Sequence, residues 1–288
     1  MPTYQLTAIN VGGFPLGESD KVVIMFSRQR GISKAVAKGA RKPGAKMAGK
    51  SEALCVNNLL LATGRSLDII TQAESIETFK ALRGDLERLT YGLYYAEVTR
   101  VFGQGFDGEE NRYFEFLIEA LTRLAGKSDA APARLCLDFE LTVLSMLGFQ
   151  PELQVCVGCR NPLTEYSISV FHTELGGISC NNCADAGKSL RSRVKEDDSQ
   201  QYCYAETDRG IFLTPMVWKT LVLAAARVKD DQNSKEADNR ESTLPLINAE
   251  TPSIKSSAPL AAARRIMERY LEERAGFKLK SLDLLKQL

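Results

Sequence analysis

The chain of 288 residues is 44% hydrophobic and 25% charged, a globular composition with length enough for one large or two ordinary domains. No run reaches the roughly 18 uninterrupted apolar residues of a membrane span, and the opening MPTYQLTAIN lacks the charged and apolar regions of a signal peptide, so a cytoplasmic protein is expected. The net charge of +1 conceals an asymmetry: residues 1–70 carry ten Lys or Arg against four Asp or Glu, which suggests that the first part meets a polyanion.

In chain order, residues Tyr4 to Val11, Lys21 to Ser27, Gly31 to Lys38, Cys55 to Thr63 and Leu67 to Gln72 read as five short strands. Gly12, Gly13 and Gly17 punctuate the first connection, and Gly64-Arg65-Ser66 turns between the last two strands. Five strands in this span predict a small barrel of the OB type, although periodicity alone does not separate it from an SH3-like barrel. From Glu74 the apolar period changes to that of a helix, with Phe79, Leu82, Leu86, Leu89 and Leu93 on one face. A second helix is expected over Glu109 to Ala125, and a third from Pro132 to a Gly148 cap. After a cysteine-rich module, Thr214-Pro215 starts a helix that should end near Val228, and another should run from Leu260 to Ala275 before Gly276, with SLDLLKQL adding a terminal turn or two. Between them lies KDDQNSKEADNRESTLPLINAETPSIKSSAP, too polar to build a core.

The expected fold class is therefore α+β: an OB-type barrel at 1–76, a helical bundle at 77–154, a four-cysteine zinc module at 155–190, and a helical completion at 191–288 carrying a flexible insertion at 229–259.

The most specific motif is Cys156-x2-Cys159, twenty residues, then Cys180-x2-Cys183, the spacing of a four-thiolate structural zinc site. YSISVFH between the pairs alternates like a strand and suits a hairpin that carries both knuckles. Four thiolates leave no open coordination position, so this Zn2+ is expected to stabilise and not to catalyse. The only histidine, His172, reads as a hairpin residue, and Cys203 as a lone thiol.

Between Asp20 and Glu52 there is no acid, while Lys21, Arg28, Arg30, Lys34, Lys38, Arg41, Lys42, Lys46 and Lys50 are all positive. Such uncompensated charge repels itself, and phosphates would relieve it, so these nine are candidate DNA-binding residues. Among the nearby aromatics, Phe14 is expected to be exposed and Phe26 to lie in the core. Electrostatic support outweighs aromatic support, which favours sequence-independent backbone binding.

Residues Gly44 to Ser51, GAKMAGKS, fit the phosphate loop of ATPases, which makes an ATPase acting on nucleic acid the alternative reading. That loop should follow a buried parallel strand and open a helix, whereas here it follows a polar ARKP stretch. A zinc-containing scaffold or regulator reading duplex sequence would need a recognition helix rich in Arg, Asn or Gln, and none is evident.

Three phrases carry a resemblance to a known family: GESDKVVIMFSRQRGISKAVAKGARKPG, RLCLDFELTVLSMLGFQPELQVCVGC and RRIMERYLEERAGFKLKSLDLL. In order and spacing they resemble the RecO family of bacterial recombination mediators. The resemblance implies an OB domain, a helical domain and a zinc module. It implies binding to single- and double-stranded DNA, and annealing of strands coated by single-strand-binding protein. It also implies cooperation with RecR, and in many bacteria RecF, in loading RecA, with no enzymatic step. That family's helical domain holds the acidic tail of single-strand-binding protein, and the basic C-terminal helix here offers Arg265 and Arg269 on one face for it. The GAKMAGKS extension and the polar insertion depart from the family pattern.

Overall fold

A computed structural model of the chain describes residues 2–126, 130–185, 204–207, 210–237 and 257–285. The chain divides into two compact units, one formed by Met1–Leu135 with Phe277–Leu288, the other by Cys136–Gly276.

In the first unit, strands β1 (Thr3–Leu16), β2 (Asp20–Ser27), β3 (Gly31–Ala37), β4 (Val56–Ala62) and β5 (Asp68–Glu77) close a barrel in the order β1-β2-β3-β5-β4. This is the OB-type barrel, with a short helix α1 (Lys46–Lys50) between β3 and β4. The pairs are antiparallel except β3 with β5, joined only through Ala35 to Asp68 and Val36 to Ile69. Leu6, Ala8, Val23, Met25, Ala35, Ala37, Leu59, Leu61 and Ile70 fill the interior, and Met47 of α1 packs against this cluster. Small alanines on β3 leave the room that Met25 and the leucines occupy.

Two expectations for this unit need correction. Strand β1 continues through Gly12 and Gly13 to Leu16, past a bulge after Asn10, and the turn falls at Gly17, which has φ +61°. Gly13 is needed inside the strand because a Cβ there would sit 2.5 Å from the Val22 carbonyl oxygen. The helix expected from Glu74 does not start there, because residues up to Glu77 stay paired with β4. A 3₁₀ turn (Lys80–Gly84) follows, and α2 (Leu86–Phe102) begins only after Asp85, whose carboxylate accepts from the Arg88 N–H at 3.1 Å. The stretch after Gly39 forms turns and then α1.

Helix α3 (Glu110–Ala125) packs on α2, with the Thr99 and Tyr113 hydroxyls 2.8 Å apart. Phe106 and Tyr113 stack at 3.7 Å, and both meet Phe26 edge-on, so one end of the outer face of β2 is sealed. The last helix, α8 (Lys280–Leu285), lies on α2 and buries Leu279 and Leu282.

Helix α4 (Pro132–Met146) ends as expected near Gly148, which has φ +75°. In the second unit, β6 (Ile168–His172) and β7 (Gly177–Cys180) form the expected hairpin, extended to a four-stranded sheet by β9 (Gly210–Leu213) and β8 (Tyr204–Thr207). A short helix α5 (Asn181–Asp185) follows β7. Thr214 caps α6 (Pro215–Ala237), its hydroxyl accepting from the Val217 N–H. That helix runs beyond the expected stop at Val228, and α7 (Ser257–Ala275) begins before Leu260, so the ends of the expected flexible segment 229–259 are helical. Its centre, residues 238–256, lies outside the described residues, as do 186–190 of the expected zinc module and Cys203.

Candidate nucleic-acid interface and metal centre

The nine basic residues divide by what they touch. Lys21 pairs with Glu52 at 3.1 Å. Arg28 pairs with Glu115 of α3 at 2.6 Å and lies 5.2 Å from the Phe114 ring centre. Arg30 sits 4.2 Å over the Tyr4 ring. Arg41 donates to the Gly17 carbonyl at 2.8 Å, and the Lys50 ammonium donates to the Ala73 carbonyl. Lys34, Lys38, Lys42 and Lys46 make no ion pair among the described residues, and all four are exposed. They follow one another along β3, its outgoing turn and α1. Lys38, Lys46 and Lys50, with Thr71 and Gln72 of β5, line a shallow groove of about 480 Å³ where α1 crosses the β3–β5 join. The structure thus leaves Lys34, Lys38, Lys42 and Lys46 open to solvent and ties Lys21, Arg28, Arg30, Arg41 and Lys50 to internal partners.

The turn that carries these lysines is pinned by Asp20, whose carboxylate accepts from the Gly39 N–H at 2.8 Å. That backbone hydrogen bond, helped by the Ser19 hydroxyl and the charges of Lys38 and Lys42, holds the Asp20 carboxyl below its ordinary range.

Both expectations about aromatics hold. Phe26 is fully buried, while Phe14 is 48% exposed, on a strand instead of in a loop. A residue that linear reading missed is Arg100 of α2, whose side chain lies 3.8 Å from where a Cβ on Gly12 would be. Only the fold brings it to β1.

The phosphate-loop reading fails on geometry. GAKMAGKS follows a barrel strand and a turn, and opens a helix of only five residues. The Ser51 hydroxyl donates to Ala48 at 2.9 Å and is buried, and the Lys50 ammonium is held by Ala73, so neither is presented to a nucleotide.

In the second unit, the sulfurs of Cys156, Cys159, Cys180 and Cys183 all lie within 4.8 Å of one another. Cys159 and Cys180 are 3.8 Å apart, close to the edge of a tetrahedron built on metal–sulfur bonds of about 2.3 Å. Cys156 Sγ accepts from the Cys180 N–H at 3.2 Å. A side chain on Gly158 would press against Cys183 Sγ at 3.0 Å, so glycine keeps the space between the knuckles open. Burial opposes ionisation of Cys156, but the N–H groups of Cys159, Cys180 and Gly158 more than offset it and bring the thiol down to about 6. Cys183 is pushed up to about 12 by the sulfurs of Cys180, Cys159 and Cys156. One thiolate forms readily and the next resists, the condition that a bound dication relieves. The donor set therefore fits a metal ion. His172 stands apart from it, its Nε2 2.9 Å from the Ser179 hydroxyl.

Arg265 and Arg269 lie on the exposed face of α7, and Arg269 reaches Glu272 at 3.7 Å. No helix among the described residues is long and apolar enough to cross a membrane.

The family model described as Recombination protein O N terminal matches residues 1–79, and Recombination protein O C terminal matches residues 83–195. The chain is similar to the DNA repair protein RecO of Synechococcus sp. (strain JA-2-3B'a(2-13)), with 32% identity over 98% of this chain and 89% of that protein. It is also similar to the DNA repair proteins RecO of Symbiobacterium thermophilum, 35% identical over 65% of this chain and 74% of that protein, and of Gloeobacter violaceus, 37% identical over 63% and 69%. These matches set the class, DNA repair and recombination proteins, for a chain built of an OB-type barrel, helices and a four-thiol knuckle. The nearly full-length match narrows the class: this chain belongs to the RecO family.

Proposed function

We propose that the chain is a recombination mediator that binds single- and double-stranded DNA through phosphates along Lys34, Lys38, Lys42 and Lys46. The observation that carries this is the run of four exposed lysines without ion pairs among the described residues, on β3, its turn and α1. Lys21, Arg28, Arg30, Arg41 and Lys50 contribute field and shape, since each already has a partner in the fold. Contact limited to phosphates is independent of sequence, and annealing requires that independence.

The second part of the proposal concerns partners. The face of α7 bearing Arg265 and Arg269 receives the acidic C-terminal tail of single-strand-binding protein, and RecR, with RecF where present, joins the complex that assists RecA loading. Tethering coated strands raises their local concentration for pairing, and no covalent bond is made or broken. The metal at Cys156, Cys159, Cys180 and Cys183 is Zn2+, which four thiolates select, and its role is to fix the two knuckles on the β6–β7 hairpin.

The test is annealing of complementary strands coated with single-strand-binding protein, in the absence of nucleotide. Acceleration is expected; failure to accelerate removes the mediator reading.

A further inference from the structure

Residues paired across neighbouring strands share a face, so the register defines what stands outside the barrel beside the lysines. The interior holds Val23 and Met25 of β2 and Ala35 and Ala37 of β3, which puts Val22 and Ile24, and Lys34 and Val36, on the outside. Phe14 pairs with Val22, and Val22 with Val36, forming one apolar row across three strands. The next row on one side is Gly12, Ile24 and Lys34, and on the other Leu16 pairs with Asp20, next to Lys38. Val22 and Val36 are 1% and 8% exposed, whereas Phe14 is 48% and Leu16 41% exposed. Arg100, its side chain 41% exposed, lies against Gly12 at the same edge. Phe106 and Tyr113 cover the Phe26 end of this face, and Phe14 stands at the other end.

We infer that Phe14 is a stacking platform for an unpaired base of single-stranded DNA, with Lys34 and Lys38 placed beside it for the flanking phosphates. This rests on the DNA-binding reading above and specifies what the strip recognises. The chemistry favours a base over a peptide side chain. The valines beside Phe14 are already buried, so this row offers solvent chiefly the Phe14 side chain, and a base needs no more than an accessible ring. Paired bases within a duplex expose no face, so the platform adds affinity only for single strands. Flanking cations without ion pairs at Lys34 and Lys38 suit a polyanion that continues past the ring on both sides.

The experiment compares binding of the full chain to oligothymidine, to an abasic deoxyribose-phosphate strand of the same length, and to duplex DNA. The wild type should prefer oligothymidine over the abasic strand by about ten-fold, the scale of one stacked base. Phe14→Ala should abolish that preference while leaving duplex and abasic affinities unchanged, and Phe14→Tyr, which keeps the ring, should retain it; thermal melts establish that both variants fold. An unchanged preference in Phe14→Ala, or equal affinity of the wild type for both single strands, overturns the inference while leaving phosphate binding intact. Loss in Phe14→Ala of binding to an acidic peptide, with oligothymidine unaffected, also overturns it by assigning the row to a protein partner. If the wild type binds none of the DNAs, it is the DNA-binding reading itself that falls.

Discussion

Glu97 on α2 accepts hydrogen bonds from both the backbone N–H of Ser281, at 2.7 Å, and the Ser281 hydroxyl, although the two residues lie 184 apart in the sequence. The same carboxylate accepts from the Lys280 N–H at 3.2 Å and pairs with Arg100 at 3.3 Å. A side chain from α2 thus caps the first turn of α8 and supplies the negative charge that a helix N-terminus favours.

Glu97→Ala should therefore destabilise the first unit by about 2–3 kcal/mol, because buried N–H groups lose a charged acceptor. Ser281→Ala, which keeps the backbone bonds, should cost about 1 kcal/mol. Denaturant unfolding of the two variants measures the difference, and equal small effects would show that the cap is inessential.

Metal content gives the second prediction. The purified chain should carry one zinc ion, and Cys156→Ser, which removes the most buried of the ligands, should lose it and lower the unfolding midpoint. Gly158→Val should weaken retention against a chelator by about ten-fold or more while leaving every ligand in place, since the side chain would crowd Cys183. Metal retained at wild-type strength in Gly158→Val would contradict the reading of that glycine.

Charge reversal separates the two classes of basic residue. Lys38→Glu and Lys46→Glu should each weaken DNA binding and reduce the slope of log affinity against log salt by about one phosphate's worth, roughly 0.7–0.9. Arg28→Glu should leave the slope nearly unchanged, because that guanidinium is engaged by Glu115 and Phe114. Salt titrations of the three variants decide the matter; a slope lowered only by Arg28→Glu would move the DNA to the other end of the barrel.

Asp20 sets a dependence on pH. Its folded pKa lies below the unfolded value of about 3.9, chiefly through the Gly39 N–H, so its contribution is present above that value and is lost as pH falls through the folded pKa. The wild type should melt at a higher temperature than Asp20→Asn at neutral pH, and the gap should close in the acid range below about 4. A gap that stays constant with pH would mean that the carboxylate charge is irrelevant.

Strand alternation and the cysteine spacing made most of this architecture legible, because barrel strands and metal knuckles leave local, periodic marks. The errors fell where a distant partner decides local structure. Glu74 to Glu77 look helical alone, yet β4 supplies hydrogen bonds that keep them extended; the Gly84-Asp85 pair was the local sign of the true helix start. The basic run was visible as composition, but not which cations were already engaged, since Glu115, Glu52 and Tyr4 reach Arg28, Lys21 and Arg30 only in three dimensions. Phe14 could be singled out from its glycine-rich surroundings, whereas nothing near Gly12 in the chain points to Arg100.

The barrel closes between β3 and β5 through just two residue pairs, while its antiparallel neighbours share seven or more. Amide protons along that seam should exchange fastest in the cylinder, and any outward strain applied to β3 by a tightly held ligand would concentrate there. Met47 packed beneath α1, and the Lys50 ammonium fastened to Ala73 across the gap, act as a cross-brace over the weak line. The residues that mimic a nucleotide loop on paper serve as a clasp on a hoop.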